Sequence, residues 1–152
     1  MKKNNFMEVE FKADSVNESF ARVCVASFCL PLNPSLEEIS DIKTAVSEAV
    51  TNAVVHAYPK GGGVVRLRVE LDGADVLITV SDEGVGIKDF KKAREQFFTT
   101  KPDDERSGMG FSVMESFMDD VQVSKNGERG VKVFMKKTCR SGLLCEGTYA
   151  RR

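Results

Sequence analysis

Glu48 and Asn52 stand four residues apart in the stretch Ser47-Glu48-Ala49-Val50-Thr51-Asn52-Ala53-Val54-Val55-His56, so a helix would stack them on one face. A carboxylate beside a neutral amide suits a site that needs a proton acceptor and a hard oxygen ligand for a divalent cation. Downstream, Asp82-Glu83-Gly84-Val85-Gly86 sets another carboxylate next to two glycines, which let a flat ligand approach the backbone. That carboxylate can accept a hydrogen bond from an exocyclic amine such as adenine presents. In Arg106-Ser107-Gly108-Met109-Gly110 small residues fall where a helix is expected to open, and free amides at a helix start favour phosphate. Each stretch alone is weak. E-x-x-x-N is common on solvated helix faces, an acidic residue before glycine often marks a hairpin, and glycines often begin helices for packing. In this order, the three form a joint pattern with a low chance rate.

These residues need elements to hold them. Residues 36–57 read as one long helix that starts at Ser35, where Glu38 completes a capping box, and stops at Pro59 and the glycines of 61–63. Val46, Ala49, Val50, Ala53 and Ala57 form its apolar stripe. Residues 6–11 alternate as a strand. Asp14 and Ser15 open a helix through about Phe28 with Val16, Phe20, Val23 and Ser27 on one stripe, leaving Glu18 and Arg22 as an i,i+4 pair on its solvated side. Residues 64–71 and 76–81 make one expected hairpin, and 120–124 and 130–136 another turning at Asn126-Gly127. A short helix over 89–96, a mobile surface loop over 97–107 and a helix from Gly108 to about Met118 fill the gap between them. Phe111, Met114, Phe117 and Met118 have helical spacing and read as core. The fold implied is a two-layer α/β sandwich: about five strands in a mixed, mostly antiparallel sheet with the helices on one face. One domain over 1–138 is expected, followed by a poorly ordered tail over 139–152.

Composition narrows the class. With 152 residues, 22 Lys and Arg against 23 Asp and Glu, and a formal net charge of -1, no basic field advertises nucleic acid or a membrane surface. No apolar run approaches the roughly 20 residues that cross a bilayer, and no leader is visible, so a cytoplasmic protein is expected. Four cysteines without a C-x-x-C pair and a single histidine argue against zinc and for reduced thiols.

On these motifs the chain resembles the GHKL superfamily of ATP-binding domains, shared by gyrase and the histidine kinases, and within it the serine kinases of the anti-sigma-factor family. The likeness covers about residues 6–137. It is strongest in Asn17-Glu18-Ser19-Phe20-Ala21-Arg22-Val23, in 47–58, in Phe98-Thr99-Thr100-Lys101-Pro102 and in 106–121. The resemblance implies ATP and magnesium as ligands, Glu48 as general base, Asn52 as magnesium ligand, and Asp82 as adenine reader with Gly84 and Gly86 shaping the base pocket. It implies Thr99, Thr100 and Lys101 in a lid and Arg106, Ser107, Gly108, Met109 and Gly110 around the phosphates. It places Glu18 and Arg22 at the surface that meets a sigma factor.

The activity so implied is twofold. A homodimer would bind and inhibit a sporulation sigma factor, and as an ATP-dependent serine kinase it would phosphorylate a small anti-anti-sigma factor. His56, one turn beyond Asn52, is expected to border the pocket or pack, so the acceptor comes from another protein. The alternative is a non-catalytic ATP-binding module that regulates a partner through nucleotide-dependent binding. Such a binder has use for Asn52 and the glycine loops but none for a base at Glu48. A stand-alone ATPase machine fits less well, since no region to couple hydrolysis to motion follows the motifs.

Overall fold

The computed structural model describes residues 4–86 and 105–142, with the backbone alone over 105–109. The first strand, β1 (Asn5–Lys12), leads into helix α1 (Asn17–Phe28), a single turn Leu30–Leu32 and helix α2 (Leu36–Asn52). A π-helical turn, Ala53–Ala57, extends α2 and delivers the chain to strands β2 (Val64–Asp72) and β3 (Asp75–Asp82). Helix α3 (Glu105–Phe117) precedes β4 (Asp120–Asn126) and β5 (Gly130–Thr138).

The sheet has five strands in the order β1-β2-β3-β5-β4. Every described pairing is antiparallel, which corrects the expectation of a mixed sheet. The reason lies in how the second hairpin docks. Its later strand, β5, lies against β3, and β4, which shares the direction of β3, is moved to the edge and never pairs with it.

Alternation divides the sheet into two faces. Val65, Leu67, Val69, Val76, Ile78, Val80, Val133 and Met135 are buried in one cluster with Ile42, Ala45, Val46, Ala49 and Val50 of α2. Arg66 and Arg68 face the other way and meet Glu8 and Glu10 across the strands, the closest pair being Arg66 and Glu10 at 3.1 Å. These exposed pairs are worth little individually, and they keep that face wet. The stripe expected on α2 is buried throughout.

Helix α2 begins as its sequence dictates. Ser35 Oγ accepts from Glu38 N at 3.1 Å, and Glu38 Oε2 accepts from Ser35 N at 2.9 Å, so two amides that lack helical acceptors are satisfied reciprocally.

The stripe expected on α1 is turned to solvent: Val16, Phe20 and Val23 are 73%, 51% and 57% exposed. Ala21 and Val25 are buried instead, with Phe28 packed beside them. Both sets satisfy the helical period, and only the second faces α2, where small side chains allow the helices to approach.

Phe117 departs from the expected core stripe of α3 at 37% exposure, whereas Phe111, Met114 and Met118 are buried. Of the tail expected to be poorly ordered, residues 139–142 are described and 143–152 lie outside the described residues. Glu38 Oε1 accepts from Arg140 N at 2.8 Å and Ser141 N at 3.1 Å, and Cys139 is buried. The short helix over 89–96 and most of the loop over 97–107 lie outside the described residues. No described helix is long and apolar enough to cross a membrane.

Candidate functional site: a cavity beside helix α2

Asn52 ends α2 and looks into a cavity of about 270 Å³ between that helix, β3, β5 and α3. Its walls are mainly apolar, from Ala49, Ala53, Val80, Phe111, Val131 and Val133, and its polar groups are few: Asn52, His56 and Asp82. An apolar slot with a small number of aimed polar groups is how flat ligands are usually held.

Asp82 sits at the end of β3 and is only 5% exposed. Its Oδ1 accepts from Gly84 N at 3.0 Å and Val131 N at 3.2 Å, and its backbone oxygen accepts from Asn126 Nδ2 at 2.8 Å. Both described bonds fall on Oδ1, which leaves Oδ2 for a donor in the cavity. Burial pushes the Asp82 carboxyl above its ordinary value, against the pull of the two amides. The glycines beside it are required by close approach. A Cβ on Gly84 would overlap Ala57 O, and Gly86, at a φ of 75°, would meet Arg129 O. Val85 N donates to Ala57 O at 3.0 Å, so the loop after β3 is fastened to the π-turn that ends α2.

On the other side of Asn52, a Cβ added to Gly110 would come within 2.8 Å of its Nδ2. That nitrogen is buried and has no hydrogen-bond partner among the described residues. A donor nitrogen with no partner among the described residues, in a slot that Gly110 keeps open, fits an acceptor such as a phosphate oxygen, and the amide oxygen beside it is of the type that ligates a hard cation.

Glu48 lines a different surface. It borders a groove between α1 and α2 with Ser47, Thr44, Lys43 and the ion pair of Glu18 and Arg22, whose charges lie 3.8 Å apart. One turn apart on α2, Asn52 lines the cavity and Glu48 lines the groove, so the two side chains expected side by side in one site fall in two depressions that share no described lining residue. Glu18 and Arg22, expected on the open side of α1, stand over the same groove.

Helix α3 begins at Glu105, three residues before the expected start at Gly108. Of the described amides, those of 105–107 accordingly lack a helical acceptor, and Gly108, Met109 and Gly110 lie inside the helix. Arg106, Ser107 and Met109 are placed as backbone only, and Thr99, Thr100 and Lys101 lie outside the described residues. Sequence reasoning assigned Phe111 to the core alone, although it also walls the cavity. It passed over Asn126 and Tyr58, whose bonds to the Asp82 loop depend on strand pairing.

Comparison with known proteins bears on this geometry. The profile of the histidine kinase-like ATPase domain family matches residues 11–137. The anti-sigma F factor of Clostridium acetobutylicum is 55% identical over 133 residues, 88% of this chain and 93% of that protein. The anti-sigma F factor of Geobacillus stearothermophilus is 50% identical over 143 residues, covering 93% and 98%. Among solved structures, the RsbU and RsbW domains of Rv1364c from Mycobacterium tuberculosis share the fold with a TM-score of 0.61 at 16% identity, over 88% of this chain and 32% of that one.

Proposed function

This chain belongs to the anti-sigma F factor family and carries its histidine kinase-like ATPase domain, and from that premise we propose that it is an ATP-dependent protein-serine kinase as well as a sigma-binding inhibitor. In this reading the base of ATP enters the cavity at Asp82 and its phosphates lie towards Asn52 and the first turn of α3. A sporulation sigma factor is held inactive through the face that carries Glu18 and Arg22. The phosphoacceptor is a serine of an anti-anti-sigma factor.

The observation that carries the reading is the division of labour along α2. Asn52 lines the cavity that also holds Asp82, and Glu48, one turn earlier, lines the groove shared with Glu18 and Arg22. A partner docked over that groove would bring its hydroxyl to the carboxylate, one helical turn from Asn52. Transfer then forms a serine Oγ–phosphorus bond as the bond from the γ-phosphorus to ADP breaks, with the hydroxyl proton going to Glu48. The Asn52 amide oxygen would hold magnesium, which, when bound, neutralises charge on the phosphates. Amides of the first turn of α3 add donors to the same groups.

We include a homodimer in the proposal, formed through the outer edge of β1, which among the described residues ends the sheet and pairs with β2 alone. An open edge of this kind is a ready template for a second strand.

The test is transfer of labelled γ-phosphate from ATP to the anti-anti-sigma factor, with wild type and Glu48→Gln compared. Loss of about 10²- to 10⁴-fold in the variant, with ADP affinity retained, is the expected result. Equal transfer by both proteins removes Glu48 from its role, and no transfer by either leaves a nucleotide-binding regulator.

A further inference from the structure

Tyr58 is the residue after the π-turn, and its ring lies so close to Gly63 that any Cβ there would overlap it. Its hydroxyl donates to Val64 O at 2.8 Å and accepts from Glu83 N at 2.9 Å. The register of β2 and β3 sets Val65 opposite Asp82, so the next rung would set Val64 opposite Glu83. The phenol oxygen stands in that rung. Where a direct backbone bond would hold nitrogen and oxygen about 2.9 Å apart, two bonds in series hold them wider. Strand β3 is thereby parted from β2 at the residue after Asp82.

The neighbouring contact repeats the pattern. Ala57 O accepts from Val85 N at 3.0 Å, so successive residues at the end of α2 take alternate amides of the loop, Glu83 through Tyr58 and Val85 through Ala57. The segment that follows Asn52 is thus bonded on both sides of Gly84, whose amide donates to the Asp82 carboxylate. A carboxylate discriminates an amine from a carbonyl oxygen only while it is held in line with it.

We propose that Tyr58 is a positioning residue for adenine recognition: its hydroxyl, held between Val64 O and Glu83 N, fixes the loop that aims the Asp82 carboxylate at the exocyclic amine. The proposal rests on the reading of Asp82 as the adenine contact. It assigns Tyr58 no contact with the nucleotide.

The experiment compares ADP with inosine diphosphate, which carries an oxygen in place of that amine, by calorimetry on wild type and Tyr58→Phe. The variant keeps the ring over Gly63 and removes one oxygen atom, and its thermal midpoint without nucleotide verifies that it is folded. Wild type is expected to prefer ADP by about ten- to a hundredfold, the scale of one hydrogen bond to a charged acceptor. In Tyr58→Phe the preference falls by about tenfold, through weaker ADP binding with inosine diphosphate little changed. A merely structural role would weaken both ligands alike and leave the ratio at its wild-type value, and that result overturns the proposal. A wild type that does not distinguish the two ligands overturns it together with the adenine reading of Asp82, so the two failures are told apart by the wild-type ratio alone.

Discussion

At Asp82, burial and hydrogen bonding act on the carboxyl in opposite directions, and burial prevails, so its pKa stands above the usual value of 3.8. The sign of the consequence follows from linkage. A carboxyl whose pKa is raised by folding binds its proton more readily in the native state, so this group's contribution to stability improves as pH falls through the raised pKa. Nucleotide binding needs the opposite form, since only the carboxylate accepts from the amine. ADP affinity should therefore decline on acidification at a pH above the ordinary aspartate range, and the decline should vanish in Asp82→Asn. Calorimetry between about pH 4 and 7 checks both. The thiols follow the same physics. Burial pushes Cys29 up to about 12 and Cys139 up to about 11, so neither offers a thiolate near neutrality. Mapping of alkylated peptides should find Cys24, half-buried, modified in the native protein before Cys29 or Cys139.

At the scale of elements, the start of α2 carries more than a cap. Burial raises the Glu38 pKa, yet the amides of Ser35, Ser141 and Arg140 outweigh it and hold the carboxyl below its usual 4.5. A depressed carboxyl stabilises the fold above its unfolded pKa, and that contribution is lost as pH falls through the lowered one. Glu38→Gln should lower the thermal midpoint at neutral pH, and the gap from wild type should close below about pH 4.5. Ser35→Ala, which removes the other half of the box, should cost about 1 kcal/mol in denaturant titration. At the far end of the site, Gly110→Ala sets a Cβ against the Asn52 amide, so it should weaken ADP binding more than it lowers the midpoint.

The capping box of α2 was readable because its signals are local: serine, glutamate three residues on, and an apolar run. The π-turn at Ala53–Ala57 was not, because a bulge of that kind answers to what the helix end must grip. Tyr58 was missed for the same reason. Its partners lie in β2 and beyond β3, and no spacing along the chain announces them.

At the scale of the molecule, strand boundaries and the order of elements were legible from alternation and turn residues, and the arrangement of the second hairpin was not. Nothing in residues 120–138 says which of the two strands will lie against β3. Helix α1 shows the same limit. Its sequence carries two apolar stripes of helical period, each with a phenylalanine and a valine, and Phe20 and Val23 are the ones left to solvent. Val23→Ala should therefore change stability by no more than about 0.5 kcal/mol, whereas Val25→Ala should cost about 1 to 3 kcal/mol in urea unfolding. Equal effects would place α1 in a different rotation from the one described. Residues 139–152 carry little periodicity, yet Arg140 and Ser141 are held by Glu38 through backbone amides that side-chain patterning does not reveal.

All of these scales meet at Asn52, where one helix, one glycine of α3 and the Asp82 loop enclose a single slot. The most direct measurement is calorimetric titration of ADP in the presence of magnesium into wild type and Asn52→Ala. Saturable binding by wild type and a loss of about tenfold or more in the variant, with its thermal midpoint without nucleotide little changed, is what the account predicts. No heat with wild type, or equal affinity in both proteins, would contradict it.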